Sequence, residues 1–298
     1  MRRYTARPHD TWRPVLTSVR PLVDARSGLV AGAGSALVRV GARLLCVQDD
    51  ARAALWIEPG SGALEPLPLG GSTARLAKRT KPDFEAAFVA GDELVVLGSG
   101  SAPGRAAVVY APLDGRPVRE VDASALYATL AARLGAVLNL EGAVLVSSAR
   151  GELVRLFHRA SSPERGASAT FDVELGALRC GAGPVLDEAR YDLGGVLGVP
   201  LAFTDAALLP DGRIAFLAAA EDTVDPVEDG AVLGTVLGVL DPDGPRVAPI
   251  VELDGSPTRR KLEGLALDAD GRGAYSVTDP DDVERPAELC RLEWLAAI

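Results

Sequence analysis

The stretch "RRKLEGLALDADGRG", residues 259–273, sets Glu263 between a cluster of three cations and an apolar run that ends in an Asp-Gly turn. The same order of residue types returns in "KPDFEAAFVAGDE" (81–93), "VLNLEGAVLVSSARGE" (137–152) and "LAFTDAALLPDGR" (201–213). Aligned on the carboxylate, these copies place Glu85, Glu141, Asp205 and Glu263 at successive separations of 56, 64 and 58 residues. A degenerate copy, "GAGSALVRVGARLLCVQDD" (32–50), carries Ser35 at that position, 50 residues before Glu85. Self-similarity at such a period marks a repeat architecture whose units stack to bury a common core.

Within each copy an apolar strand follows the carboxylate or Ser35. A turn containing Gly41, Gly91, Gly151, Gly212 or Gly271 comes next, and then a second apolar strand. Asp-Gly at two of these turns suits hairpins that need positive φ. Further strands follow, such as "LGTVLGVLDPDG" and "RVAPIVELDG" in the fourth copy. Short β-type runs punctuated by Gly, Pro and Asp predict an all-β protein. Units of four antiparallel strands arranged about one axis predict a β-propeller of five blades, with six blades as the alternative. The blades fall near 27–75, 80–135, 137–200, 201–258 and 260–298, in one domain spanning 1–298. The last unit holds only three strands, so the N-terminal run near 12–22 is expected to supply its fourth and close the ring. One stretch, "DASALYATLAARLG" (122–135), has helical spacing at Leu126, Leu130 and Leu134, with Ser124 as its cap and Gly135 as its stop.

Hydrophobic residues make up 48% of the chain with few aromatics, so the core is built mainly from Val, Leu and Ala. The net charge of −10 argues against nucleic acid or an anionic membrane as partner. Cys46, Cys180 and Cys290 show no metal-type spacing and read as reduced, buried thiols. The N-terminus lacks the apolar centre of a secretory signal, and no window approaches ~18 uninterrupted apolar residues, so a cytoplasmic location is expected.

In a propeller the first strand of each blade lies innermost, so Glu85, Glu141, Asp205 and Glu263 are expected to meet at one mouth of the central channel. Asp83, Asn139 and Lys261 lie two residues away and share their side of the strand. The second strand returns to the same mouth, bringing "QDD" (48–50), Ser99, Ser101, "HRASS" (158–162), "AEDT" (220–223) and "TDPDD" (278–282) to the rim. Two readings compete. In one, the four carboxylates hold a divalent cation, Ca²⁺ fitting the oxygen-rich set best. Asp222 then takes a proton, while Lys81, Arg159 and Lys261 bind an anionic substrate. In the other, Lys and Arg neutralise the ring as interblade salt bridges in a non-catalytic scaffold. The expected partners are a small anionic molecule or a basic peptide segment.

Other motifs fall away. "DPDG" (241–244) and "DADG" (268–271) lack the continuation of an EF-hand, and the Gly-rich runs lack a P-loop lysine. His9 and His158 are the only histidines, and no Gly-x-Ser-x-Gly elbow occurs.

Through "KPDFEA", "NLEGA", "FTDAALLPDGR", "AEDT" and "KLEGLALD", the chain resembles a bacterial β-propeller family related to the esterase-like domain of phytase-type propellers. More distantly it resembles the gluconolactonase propellers. That resemblance implies channel carboxylates around a divalent cation and hydrolysis of a small ester, lactone or phosphoester. It departs from the gluconolactonase pattern in the surroundings of its Glu, Asn and Asp residues. Unlike a phytase, it has few cations for a polyphosphate, chiefly Lys81, Arg159 and Lys261.

Overall fold

The computed structural model describes residues 1–9, 11–77, 80–148, 151–160, 166–222, 230–282 and 284–294. Three strands, β1 (Arg2–Thr5), β2 (Arg7–Pro8) and β3 (Val15–Pro21), precede the first repeat. Blade 1 contains β4 (Gly34–Val40), β5 (Arg43–Gln48), β6 (Ala53–Ile57) and β7 (Leu64–Pro68). Blade 2 contains β8 (Phe84–Ala90), β9 (Glu93–Gly98), β10 (Ala107–Pro112) and β11 (Arg119–Asp122). Blade 3 is built from β12 (Leu140–Ser148), β13 (Gly151–His158), β14 (Ser168–Glu174) and β15 (Asp187–Asp192). In blade 4 a short strand, β16 (Gly195–Val196), precedes β17 (Val199–Leu208), β18 (Ile214–Asp222), β19 (Ala231–Asp241) and β20 (Gly244–Pro249). Blade 5 comprises β21 (Leu262–Leu267), β22 (Gly273–Thr278) and β23 (Glu288–Glu293), with β3 as its fourth strand.

The chain is therefore a five-bladed β-propeller, and the N-terminal strand closes the ring as expected. β3 pairs antiparallel with β23 from Glu288 opposite Pro21 to Glu293 opposite Val15. Such closure replaces an exposed edge by a hydrogen-bonded ladder. The five hairpin glycines, Gly41, Gly91, Gly151, Gly212 and Gly271, all have positive φ, the conformation that selects glycine there.

The two strands before β3 have no counterpart in the repeat. β1 adds parallel to β15 at the edge of blade 3, and β2 adds parallel to β20 at the edge of blade 4. The first nine residues thus strap two blades together, with Tyr4 stacked on Tyr191 at 5.6 Å. Nothing in the 50- to 64-residue period announces this, because the strap is a single segment with no second copy.

Each interblade interface is filled by its own apolar cluster. Phe84, Val96 and Leu45 pack between blades 1 and 2, and Phe157, Phe203 and Phe216 between blades 3 and 4. Trp12 meets Trp294 edge-on between blades 4 and 5. Strands buried on both faces need no polar alternation, which explains the near-continuous apolar runs in the sequence. Helix α1 (Ser124–Leu134) buries Leu126, Leu130 and Leu134 between blades 2 and 3. Ser124 is its first residue rather than its cap; Asp122 accepts hydrogen bonds from the Ser124 amide and hydroxyl, and Gly135 ends the helix at φ 71°. A six-residue helix, α2 (Leu175–Cys180), has no signature in the apolar spacing. Cys46 and Cys290 are buried, which pushes both thiols up to about 12, whereas Cys180 is exposed. Among the described residues, no helix is long and apolar enough to cross a membrane.

The innermost strands β4, β8, β12, β17 and β21 share one irregularity. Each pairing with the next strand skips one residue, Ser35, Glu85, Glu141, Thr204 and Glu263 in turn, the second of its strand in every case but Thr204, the sixth of β17. A bulge bends the strand and re-aims the extra side chain. The inner strands converge closely just beyond it. A Cβ on Gly264 would lie 2.8 Å from the Leu37 amide nitrogen and 2.6 Å from Val277 Cγ2. Gly264→Ala is therefore expected to lower stability by about 1–3 kcal/mol through overpacking against backbone. Urea unfolding checks this, and a midpoint equal to the parent's would show that the ring relaxes freely.

Candidate functional site

The bulges carry the five repeat-aligned side chains to one mouth, with one correction to the sequence alignment. In blade 4 the bulged residue is Thr204, so Asp205 lies one residue past the position that Glu263 occupies. The two hydroxyl bulges behave alike. Ser35 donates to the Phe84 carbonyl and Thr204 donates to the Leu262 carbonyl at 2.7 Å, each tying its blade to the residue before the next blade's glutamate. Asp205 instead accepts the Ala206 and Leu265 amides, both at 2.7 Å, and lies 2% exposed between the inner strands. Burial pushes its carboxyl well above the usual range, against those amide hydrogen bonds.

The three glutamates do not form one ligand set with Asp205; cations divide them. Arg159, 5% exposed, reaches Glu141 at 3.4 Å and Glu263 at 3.3 Å through Nη1, and Glu221 through Nη2. Lys261 Nζ lies 3.3 Å from Glu263, 3.6 Å from Asp279 and 3.0 Å from Asp281. Asn139 donates to Glu141, so the partners two residues before Glu141 and Glu263 do share their side. His158 is fully buried and accepts the Asn139 main-chain N–H at Nδ1, so it is not a surface histidine. Asp222 is exposed on the rim, and its neighbour Glu221 takes the contact with Arg159. Ser161, Ser162, Thr223 and Lys78 lie outside the described residues.

Across the mouth, Asp49, Asp83 and Glu85 each place a carboxylate oxygen within 4.8 Å of the others. Asp49 directly follows the second strand of blade 1, whereas Asp83 precedes and Glu85 lies within the first strand of blade 2. Asp83 has φ 57°, a left-handed conformation that aspartate tolerates better than most residues. Its carboxylate accepts hydrogen bonds from Ser99, from Ser101 at 3.0 Å and from Arg105 Nη1 at 2.8 Å. Lys81 Nζ enters the same group, bonded to Asp49 and 3.1 Å from Asp83. Asp49 Oδ1 is buried with no hydrogen-bond partner among the described residues. In the sequence Asp49 is legible only as part of a rim segment, because its partners come from another blade.

The electrostatics follow from burial of unequal charge. Burial first, then the neighbouring Asp279 and Asp50, push the Asp49 carboxyl up to about 7 despite Lys81. Burial and the charges of Asp49, Glu141 and Asp83 raise Glu85 well above the carboxylate range, and burial likewise raises Glu263. Lys81 stays charged: burial lowers its pKa, but Glu85, Asp49 and Asp83 together outweigh that and raise it. Such crowding calls for protons or added positive charge.

Comparison with solved structures finds distant likeness. Glutaminyl cyclase from Myxococcus xanthus is similar in structure, with 12% identity, TM-score 0.49 and coverage of 96% of this chain and 100% of that one. A gluconolactonase from Xanthomonas campestris shows 10% identity, TM-score 0.42 and coverage of 97% and 99%. The β-propeller domain of Cps50 (Swd1) from Myceliophteria thermophila shows 8% identity, TM-score 0.46 and coverage of 94% and 100%. No curated protein matches the chain. A model of a family of unknown function, DUF6929, matches residues 31–294, strands β4 to β23, and the protein belongs to that family.

Proposed function

We propose that the mouth is a divalent-cation site and that the protein hydrolyses a small ester, lactone or phosphoester there. The observation that carries this reading is the convergence of Asp49, Asp83 and Glu85 within 4.8 Å. The donor set is all oxygen, as Ca²⁺ prefers. Asp49 Oδ1, buried and without a hydrogen-bond partner among the described residues, fits a ligand role, while Asp83 already serves Arg105 and two serines. In this assignment Asp49 and Asp83 replace Glu141, Asp205 and Glu263 of the four-carboxylate ring, and Glu85 stays. When bound, such a cation polarises the substrate and lowers the pKa of a water. Arg159 holds the substrate from the opposite side of the mouth, and Asp222 beside it accepts a proton. Lys81 neutralises the triad when no cation is present.

A metal scan tests this. Chelator-treated protein is expected to melt higher on addition of Ca²⁺, Mn²⁺ or Mg²⁺, because a ligand of the folded state alone raises stability. An unchanged melting temperature with all three ions removes the cation. Binding without turnover of esters, lactones and phosphoesters removes the hydrolase.

The second reading is a non-catalytic scaffold whose acidic mouth receives a basic peptide segment. It is favoured by one observation, that Arg159 and Lys261 already bridge Glu141 and Glu263.

The raised carboxyls also set a pH dependence. A carboxyl whose folded pKa exceeds its unfolded value binds more protons when folded, so stability falls as pH rises between the two. For Asp49 that window runs from about 4 to about 7. Metal-free protein is expected to lose stability across it, by roughly 4 kcal/mol if Asp49 acted alone. Saturating Ca²⁺ should flatten the decline, and Asp49→Asn should reduce it without metal. A metal-free profile that rises from pH 4 to 7 in both proteins would contradict the charge crowding.

A further inference from the structure

Asp83 uses its two carboxylate oxygens unequally. Oδ2 accepts the Ser99 hydroxyl, the Ser101 hydroxyl at 3.0 Å and Arg105 Nη1 at 2.8 Å. Oδ1 takes none of these donors and lies 3.1 Å from Lys81 Nζ, the ammonium that is also bonded to Asp49. Asp205 shows the contrast within the same ring. Its two oxygens accept one main-chain amide each, from Ala206 and Leu265, which leaves that carboxylate a structural part of the wall.

The three donors on Asp83 also hold one another. Arg105 Nη1 donates to Ser101 Oγ at 2.9 Å, and the Ser101 amide donates to Ser99 Oγ at 3.1 Å. All three residues lie in the loop from β9 to β10, which is closed by the Gly100 amide on the Arg105 carbonyl at 2.8 Å. The main chain of Asp83 is pinned as well. Its amide donates to the Asp49 carbonyl at 3.0 Å, and its own carbonyl accepts the Ser99 amide at 2.9 Å. A buried carboxylate held in this way cannot turn without breaking a charge-assisted hydrogen bond and two hydroxyl bonds together. The remaining oxygen is therefore offered in one direction, toward the position that Lys81 Nζ occupies.

We propose that Ser99, Ser101 and Arg105 are positioning residues of the cation site, holding Asp83 through Oδ2 so that Oδ1 faces the positive charge at the mouth. The assignment deepens the cation reading and rests on it for the divalent ion alone, because Oδ1 already meets the Lys81 ammonium.

Two measurements on the chelator-treated full chain test it. The first is titration calorimetry with Ca²⁺ and Mn²⁺, run well below the melting temperature of each protein. Ser101→Ala and Arg105→Met are expected to weaken binding by about ten-fold or more, the usual effect of losing a partner that orients a ligand. Arg105→Lys keeps a charged donor and should recover most of that loss. Lower stability with parent-like affinity is the result of a merely structural loop, and it overturns the proposal. Ser101 is only partly buried and Ser101→Ala removes a single hydroxyl, so this variant decides the matter should the arginine variants fail to fold. The second measurement follows exchange of the Lys81 ammonium hydrogens with water by ¹⁵N NMR in metal-free protein, the signal being assigned by its loss in Lys81→Met. Exchange should be slow in the parent and severalfold faster in Ser101→Ala and Arg105→Met. Parent-like exchange in every folded variant overturns the proposal. A parent that binds neither ion, with variants that release the ammonium, counts against the cation reading alone. A parent that binds an ion, with variants that bind it equally well, counts against the positioning role alone.

Discussion

Arg159→Met is expected to destabilise the protein by about 3–5 kcal/mol, the loss typical of stranding buried charge when one partner is removed. The guanidinium is the shared partner of glutamates from blades 3, 4 and 5. Methionine fills similar space but leaves three carboxylates facing one another, with Lys261 beside Glu263. The loss should be read from urea unfolding. Adding Glu141→Gln, Glu221→Gln and Glu263→Gln together to Arg159→Met should recover much of it, since the penalty lies in unpaired charge more than in lost packing. A cost below about 1 kcal/mol, in the range of an exposed ion pair, would show that water reaches the cluster and that Arg159 is no keystone.

Lys81→Met is the sharper test of the cation site. Lys81 Nζ sits among the same oxygens that would ligate an ion, so ammonium and cation compete for Asp49 and Asp83. Without the ammonium, the metal-free variant should melt lower than the parent. Its affinity for Ca²⁺ or Mn²⁺ should rise at least ten-fold, or about 1.4 kcal/mol, measured by calorimetry. Saturating cation should then restore most of the lost stability through linkage. A destabilised variant that no divalent ion rescues would assign Lys81 the role of permanent counter-ion and leave the salt-bridged scaffold as the function of the mouth.

Much of the molecule is legible in its residues alone. The repeat of carboxylate, apolar run and glycine turn is a local pattern, and local patterns fix strands, hairpins and their number. The missing fourth strand of the last unit and the unused apolar run near 12–22 likewise point to each other. Blade 4 shows the limit of such reasoning. In "FTDAALLPDGR" the eye aligns Asp205 with the glutamates because charge is conspicuous, yet hydrogen-bond register makes Thr204 their counterpart. One residue of register turns a side chain from the mouth into the wall between strands.

Periodicity along the chain suffices for the architecture: five stacked units, a closing N-terminal strand, and an acidic mouth formed by the starts of the inner strands. Which charges meet is settled only in the folded ring. Asp49 joins Asp83 and Glu85 from the neighbouring blade, Arg159 gathers Glu141, Glu221 and Glu263 from three blades, and residues 1–9 strap blades 3 and 4. Such contacts join residues far apart in the chain, and their partners are set by blade rotation and bulge geometry, which no local spacing encodes.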